Sequence, residues 1–285
     1  MEEHVLHSKV QKIRDLCTEI GLANHHIDNV ENMVRASIPS RAQAPHLPTN
    51  LLTGFSPIDY LIAPVKNNTR MQIYGRAGSA KTSIIAHLVS SIVEHYHAHA
   101  LWLDSTFKLN AKFFKKFKLG DNLRFIQTSS ITNEIIDIVL GGMFRVIVID
   151  DVGAFKNECI AKLERILYYC RMYKILVLLA NQVRVIPKTG RVYTPKQELL
   201  TSYDLTLRAM KYRLHYDQKY NDYDVKLEYH QGTGKMDGQS VIIPITTAGH
   251  IKKDLMETRL ARMAKAANYN NFYEYINDRV DKFDQ

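Results

Sequence analysis

The sequence predicts an α/β fold: a central, mostly parallel sheet flanked by helices on both faces, with antiparallel hairpins extending one edge and a small helical module at the N-terminus. Two patterns predict it. Between Arg70 and Gln182 short apolar runs alternate with amphipathic stretches, and buried strands separated by helices form a parallel sheet covered on both sides. After Tyr203 the period changes to two, in DLTLRAMKYRL, DVKLEYH and SVIIPIT, as expected of antiparallel strands.

In chain order, residues 1–36 read as a helical module. Val10, Ile13, Cys17 and Ile20 recur at helical spacing, Gly21 stops the run, and Asn24 is placed to cap a second helix through Val34. Residues 37–50 read as a linker, because the stretch ASIPSRAQAPHLPTN holds three prolines and little that could pack. The core spans 51–252. Within it MQIYG (71–75), ALWLD (100–104), LRFIQ (123–127), RVIVID (145–150) and KILVLLANQ (174–182) are strands. Helices are expected over 81–95, 110–117, 133–140 and 158–172. Residues 253–285 form a C-terminal extension, helical from Lys253 to Val280.

Composition narrows the classes. The 285 residues are 46% apolar and 24% charged, the balance of a soluble globular protein. No apolar run reaches the roughly 18–20 residues that cross a bilayer, and the segment MEEHVLHSKVQ lacks the basic and apolar regions of a secretory signal. Cys17, Cys159 and Cys170 are an odd set without a CxxC pair, which argues for a reducing compartment and against a disulfide framework or structural zinc. The 38 basic residues outnumber the 29 acidic ones, for a net charge of +9; such a bias favours polyanionic partners, nucleic acid first.

The sharpest motif is Gly75, Arg76, Ala77, Gly78, Ser79, Ala80, Lys81 and Thr82, followed by Ser83. It fits G-x-x-x-x-G-K-[ST] with Ala80 in place of the last glycine, and it lies between an apolar strand and an amphipathic helix. Backbone amides of such a loop, with the positive end of the helix, surround a β-phosphate. Lys81 would reach the β- and γ-phosphates of ATP, and Thr82 would ligate Mg²⁺. A Cβ at position 80 is tolerable in helical φ/ψ but not at positive φ. A second motif supports the first: Val146–Asp150 is an apolar strand ending in Asp150 and Asp151. That puts a carboxylate at the C-terminal edge of the sheet, where Asp150, with Asp151 as the next candidate, would hold the magnesium water shell.

These residues resemble the RecA/RadA recombinase superfamily, most closely a eukaryotic-type recombinase paralogue, over roughly residues 51–254. The stretch from Leu52 to Leu61, LTGFSPIDYL, resembles the segment that precedes the phosphate-loop strand in that family. Leu101–Thr106 resembles the next strand, and Leu178–Val183 the strand ending in Asn-Gln before the second DNA-binding loop. The resemblance implies a RecA-like P-loop core, ATP and Mg²⁺ at a subunit interface of a hetero- or homo-oligomer, single-stranded DNA and recombinase or paralogue subunits as partners, and a nuclear, otherwise cytoplasmic, location. It implies that Lys81, Asp150 and Gln182 carry the chemistry, with Gln182 sensing the γ-phosphate. The basic stretch after it, with Arg184, Lys188, Arg191, Tyr193 and Lys196, lies where the family contacts DNA, and its cations and aromatic suit backbone contact with base stacking.

Three departures bear on activity. Thr106 stands where the family has a catalytic glutamate, and a hydroxyl cannot act as the base. Hydrolysis should be slow unless Asp104 or Asp151 substitutes. The segment between Asp151 and Glu158 is shorter than the family's first DNA loop, and the 36–50 linker lacks the Phe-x-x-Ala tether of filament-forming members. Together these point to an accessory paralogue that assembles or remodels recombinase filaments. An autonomous small strand-exchange recombinase and a non-hydrolysing nucleotide-dependent adaptor remain the alternatives.

Further basic features read more simply. Lys108, Lys112, Lys115, Lys116 and Lys118 form a solvated helix face that could also meet phosphate, with Phe113 and Phe117 turned to the core. Gly232–Lys235 reads as a hairpin loop. His95, His97 and His99 lack the order of a metal site and suit a helix C-terminus.

Overall fold

The computed structural model describes Asp15 and residues 46–185, 192–193, 204–214, 222–231, 239–246 and 248–283. Of the 1–36 module only Asp15, which is helical, lies within the described residues. The chain divides into two compact units, 1–44 and 45–285. The second takes in the end of the stretch read as a linker. Leu47 is buried in its core, and Asn67 Nδ2 donates to the Leu47 carbonyl at 3.0 Å. Strand β1 (Asn50–Leu51) pairs antiparallel with β2 (Val65–Lys66), with helix α1 (Ser56–Ile62) between them.

The main sheet has eight strands. In chain order the next elements are β3 (Arg70–Gly75), α2 (Lys81–Tyr96), β4 (Ala100–Asp104), α3 (Ala111–Lys115), β5 (Leu123–Gln127), α4 (Asn133–Leu140) and β6 (Val146–Asp150). Helix α5 (Ile160–Met172) and β7 (Leu176–Gln182) follow, then a short antiparallel ladder of β8 (Arg184–Val185) with β9 (Val192–Tyr193). Strands β10 (Leu205–Leu214), β11 (Tyr223–Gln231) and β12 (Ser240–Ile245) precede helices α6 (Lys253–Ala266) and α7 (Phe272–Phe283). The spatial order is β12-β11-β10-β3-β7-β6-β4-β5. The run from β10 to β5 is parallel, while β11 and β12 are antiparallel additions at one edge. Strand β10, grouped by its period with the antiparallel set, therefore faces both ways: it is parallel to β3 and antiparallel to β11.

The alternation of side chains along a strand sorts the fully apolar runs into two layers. Met71, Ile73, Val146, Val148, Leu176 and Leu178 face α2, whose Ile84, Leu88 and Ile92 are wholly buried against them. Ile147, Ile149, Val177 and Leu179 face the opposite way, against Ile135 and Val139 of α4 and Leu163, Ile166 and Leu167 of α5. Cys159 and Cys170 are free thiols buried on that second face. The C-terminal helices are fixed by a forked ion pair, with Arg259 Nη1 and Nη2 donating to Asp224 Oδ1 and Oδ2 at 2.9 and 3.2 Å, and by Tyr275 stacking on Tyr60 of α1. No helix among the described residues is long and apolar enough to cross a membrane.

The TGFSPID segment has a structural reason. Thr53 donates to Asp59 Oδ1 twice, from its amide at 2.8 Å and its hydroxyl at 2.7 Å, which closes the turn into α1. Burial pushes the Asp59 carboxyl up to about 6, against the lowering effect of the Thr53 bonds. A folded pKa above the unfolded value means that ionised Asp59 opposes folding, and that stability falls as pH rises from about 4 to about 6. Asp59→Asn keeps an acceptor for Thr53 and removes the buried charge. It should stabilise the protein by about 1–2 kcal/mol at pH 8, with the gain over wild type disappearing near pH 4. Paired urea melts across this range check the sign; a gain that grows toward acid pH contradicts it.

Candidate functional site

The C-terminal ends of β3, β4, β6 and β7 bring the sequence-predicted residues together. Strand β3 lies between β10 and β7 and ends at Gly75. Only glycine fits there, because a Cβ would stand 2.2 Å from the Ala209 carbonyl oxygen of β10 and 2.7 Å from Ser79 Oγ. The chain then turns through Arg76, Ala77, Gly78, Ser79 and Ala80 into α2. Gly78 has φ +74° in open space, and the turn is held by Ser79 N donating to Arg76 O at 3.3 Å. Ser79 is 2% exposed, and its hydroxyl has no hydrogen-bond partner among the described residues.

Ala80 departs from the conformation in which its Cβ is easily tolerated. It sits at φ 58°, ψ 21°, the left-handed region that costs an L-residue about 1–2 kcal/mol. The loop thus keeps a glycine-like backbone without the glycine. Ala80→Gly should raise the unfolding free energy by about 1 kcal/mol, less the backbone entropy of the added glycine. Thermal melts check this, and a lowered Tm would contradict it.

Helix α2 begins without a side-chain cap, so its first amides, those of Lys81, Thr82 and Ser83, are donors that the helix itself does not satisfy. Lys81 folds back over the loop, with Nζ donating to the carbonyls of Gly75 at 3.1 Å and Arg76 at 3.0 Å. Burial pushes the Lys81 ammonium below its ordinary pKa, and Asp151 and Asp150 pull it back up. Thr82 Oγ1 donates to Asp150 Oδ2 at 2.8 Å. Burial raises the Asp150 carboxyl to about 6; Asp151 and Asp104 add to that rise, while the Thr82 bond and Lys81 oppose it.

Asp151 joins two strand ends. Its Oδ1 accepts from Gly153 N at 3.0 Å and Gln182 N at 3.1 Å. Its backbone exchanges two hydrogen bonds with the Ser105 hydroxyl, at 2.6 and 2.9 Å, and the Asp150–Asp151 peptide is cis. Gln182 is the register partner of Gly75, and Val183 N donates to Gly75 O at 3.0 Å, so the end of β7 lies beside the start of the loop. Ser105 and Gln127, both missed in the sequence, buttress this edge. Neither belongs to a recognisable motif, and only the strand register brings them in.

Asp104 is the most constrained carboxylate. It is fully buried, and it accepts from Thr106 N at 2.9 Å, Thr106 Oγ1 at 2.8 Å, Leu109 N at 3.1 Å and Gln127 Nε2 at 3.2 Å. Burial pushes its carboxyl up, yet these bonds prevail and hold it below the usual carboxylate range. A carboxylate so occupied and so acidic is a poor base. Thr106 is committed to Asp104.

The predicted DNA-contacting residues are only partly described. Arg184 is exposed, two residues past Gln182, and its Nη2 donates to the Gly153 carbonyl at 3.1 Å. Tyr193 is its register partner across the β8–β9 ladder. Lys188, Arg191, Lys196 and the Gly232–Lys235 loop lie outside the described residues. The basic helix is shorter than predicted: α3 is capped by Asn110 and ends at Lys115. Phe114 and Phe117 are buried and Phe113 partly so, with Lys112, Lys115, Lys116 and Lys118 exposed.

Among the described residues no group of three or more His, Cys, Asp or Glu side chains is placed to hold a metal by itself. Neither a protein-family model nor a curated protein matches this chain.

Proposed function

We propose that this chain is a Mg²⁺-dependent ATP-binding protein with a RecA-like core, a paralogue of the RecA/RadA recombinases. It assists homologous recombination and DNA repair by assembling or remodelling recombinase filaments on single-stranded DNA, and it hydrolyses ATP weakly. The observation that carries the reading is the 2.8 Å contact of Thr82 Oγ1 with Asp150 Oδ2, one residue from Lys81 at the uncapped start of a helix. A hydroxyl and a carboxylate from two different strand–loop units are the protein's share of a Mg²⁺ site that phosphate oxygens and water complete.

The residues present fit a triphosphate. The glycine at 75 keeps the turn tight against β10, the buried Ser79 hydroxyl is a donor in want of an acceptor, and the first amides of α2 add the helix's positive end. Lys81, now on two carbonyls, has the reach to exchange them for phosphate oxygens. Thr82 and Asp150 would hold Mg²⁺, which when bound supplies charge neutralisation at the β- and γ-phosphates. Gln182, beside Gly75 and tied through its amide to Asp151, is placed to relay that state to the chain beyond β7, where Arg184 and Tyr193 begin the segment proposed to contact DNA. Such a site, completed by a neighbouring subunit, suits a hetero- or homo-oligomer with ATP between protomers.

One observation favours the adaptor reading within this framework. Both carboxylates that could replace the absent glutamate are engaged, Asp104 by four donors and Asp151 by two amides, so turnover is expected to be slow. Titration calorimetry with Mg·ATP and Mg·ADP, alone and with single-stranded DNA, tests binding; a coupled phosphate-release assay tests turnover. Binding in the micromolar range with little DNA-stimulated release is the expected result. Absence of Mg²⁺-dependent nucleotide affinity would remove the basis of the reading, and rapid DNA-stimulated turnover with filament formation would favour an autonomous recombinase.

A further inference from the structure

Helix α5 has a buried face that the core explains and an exposed face that it does not. Leu163, Ile166, Leu167 and Cys170 recur at helical spacing and pack against the sheet. The opposite crest carries Tyr168, 60% exposed, and Met172, 62% exposed, with Tyr173 in the turn that follows at 42%. These are three of the six large apolar side chains exposed among the described residues. Exposure is thus concentrated here, and a concentrated apolar patch marks an interaction surface. Backbone bonds fix its position: Tyr173 N donates to Tyr169 O at 2.9 Å, Ile175 N to Cys170 O at 2.8 Å and Leu176 N to Arg145 O at 3.0 Å. The patch therefore stands where β7 begins. Gln182, beside the 75–82 loop, is at the far end of that strand, about 20 Å away.

Contacts order the rings. Arg165 Nε donates to Tyr169 Oη at 3.1 Å, and its guanidinium carbon lies 5.4 Å from the centre of that ring. The Tyr169 ring is in turn 5.9 Å from Tyr168 and 6.4 Å from Tyr173, centre to centre, so the three tyrosines form one track beside Arg165. Charge selects the partner. From Arg165 to Lys174 the chain holds three cations, Arg165, Arg171 and Lys174, and no carboxylate; Glu164 bounds the surface at its other end. All three cations are exposed, and none is in an ion pair among the described residues. Arg171 and Lys174 suit the negative end of the helix, but that gives no reason for tyrosines in solvent. An apolar protein partner would bury these cations without counter-charges. Bases joined by phosphates meet both needs, a ring to stack on and a cation beside it. We propose that the exposed crest of α5, from Arg165 to Lys174, binds single-stranded nucleic acid, with bases stacked on Tyr168 and Tyr173 and phosphates at Arg171 and Lys174. It lies at the opposite end of β7 from Arg184 and Tyr193, as a second and separate surface, and it does not depend on nucleotide binding.

The test is fluorescence anisotropy of labelled oligothymidylate and oligouridylate, each of about 30 nucleotides, with the full chain, without ATP and over a salt series. Tyr168→Ala should weaken both about tenfold, and Tyr168→Phe, which keeps the ring, should stay within about twofold of wild type. Arg171→Ala should lower the slope of log affinity against log salt by about 0.7. DNA and RNA strands should bind within about threefold of one another, because ring faces and phosphates are common to both. Tyr273→Ala, at an exposed tyrosine of α7, should change nothing, and unchanged melting temperatures show that the variants fold. Wild type that binds neither strand, or Tyr168→Ala that binds as tightly as wild type, refutes the surface, and Tyr168→Phe as weak as Tyr168→Ala refutes stacking. A duplex bound as tightly as the single strands refutes it too, as does a Tyr168→Ala effect on sedimentation with none on anisotropy, which would make the patch a protein interface. None of these results bears on whether the 75–82 loop binds ATP.

Discussion

Gly75→Ala should destabilise the protein by about 3–4 kcal/mol and abolish nucleotide binding even under conditions where it remains folded. The added Cβ would lie 2.2 Å from the Ala209 carbonyl oxygen, which belongs to the backbone of a central strand and cannot rotate away as a side chain would. Either β10 separates from β3, breaking the register of Leu205–Arg208 with Met71–Tyr74, or the end of β3 shifts toward β7 and displaces the 76–80 loop. Both outcomes move the amides proposed to surround phosphate. Gly78→Ala is the matched control. Its Cβ would meet nothing within 4 Å, and its φ of +74° confines the cost to about 1–2 kcal/mol of backbone strain. Urea melts of the two variants give the comparison, and equal losses would mean that the close approach to Ala209 does not matter.

Much of this edge is written in the sequence because of how it is buried. Every residue of ALWLD and of Val146–Asp150 is buried, so the apolar run and the strand coincide and the terminal aspartates fall at the sheet edge. Helix α4 matches its predicted 133–140 span because Thr132 supplies a recognisable cap, accepting from Ile135 N. Where a boundary depended on packing, prediction failed. The 110–117 helix stops at Lys115 because Phe114 and Phe117 both turn into the core and the chain reverses through Lys118 at φ 55°. The direction of β10 was hidden because a period of two reports which faces are buried, not which way the neighbour runs. The role of Asp104 was hidden for a related reason. Thr106, Leu109 and Gln127 converge on one carboxylate only when β4 and β5 pair with Asp104 opposite Gln127. The left-handed Ala80 had no sequence signal, since a missing glycine equally suits a loop that needs none.

The second large effect separates binding from folding at the same site. Lys81→Ala and Asp150→Asn should each lower Mg·ATP affinity about 100-fold or more, yet move stability in opposite directions. Lys81 interacts electrostatically with the buried Asp150 and Asp151 carboxylates, lowers the pKa of the first and donates to two loop carbonyls. Its removal leaves Asp150 and Asp151 less compensated and costs about 1–2 kcal/mol. Asp150→Asn preserves an oxygen to accept from Thr82 and removes a charge whose burial raises its pKa to about 6. The folded state favours the neutral form, so the ionised carboxylate opposes folding above about pH 6. Removing it should stabilise the protein by about 2 kcal/mol at pH 8 and by nothing near pH 4. Calorimetry and denaturant melts on the same preparations read both quantities. A binding defect that merely reflected a damaged fold would follow stability in both variants, and loss of affinity in a protein made more stable cannot be explained that way. Asp150→Asn that binds Mg·ATP like wild type would remove Asp150 from the metal site, whatever its effect on folding.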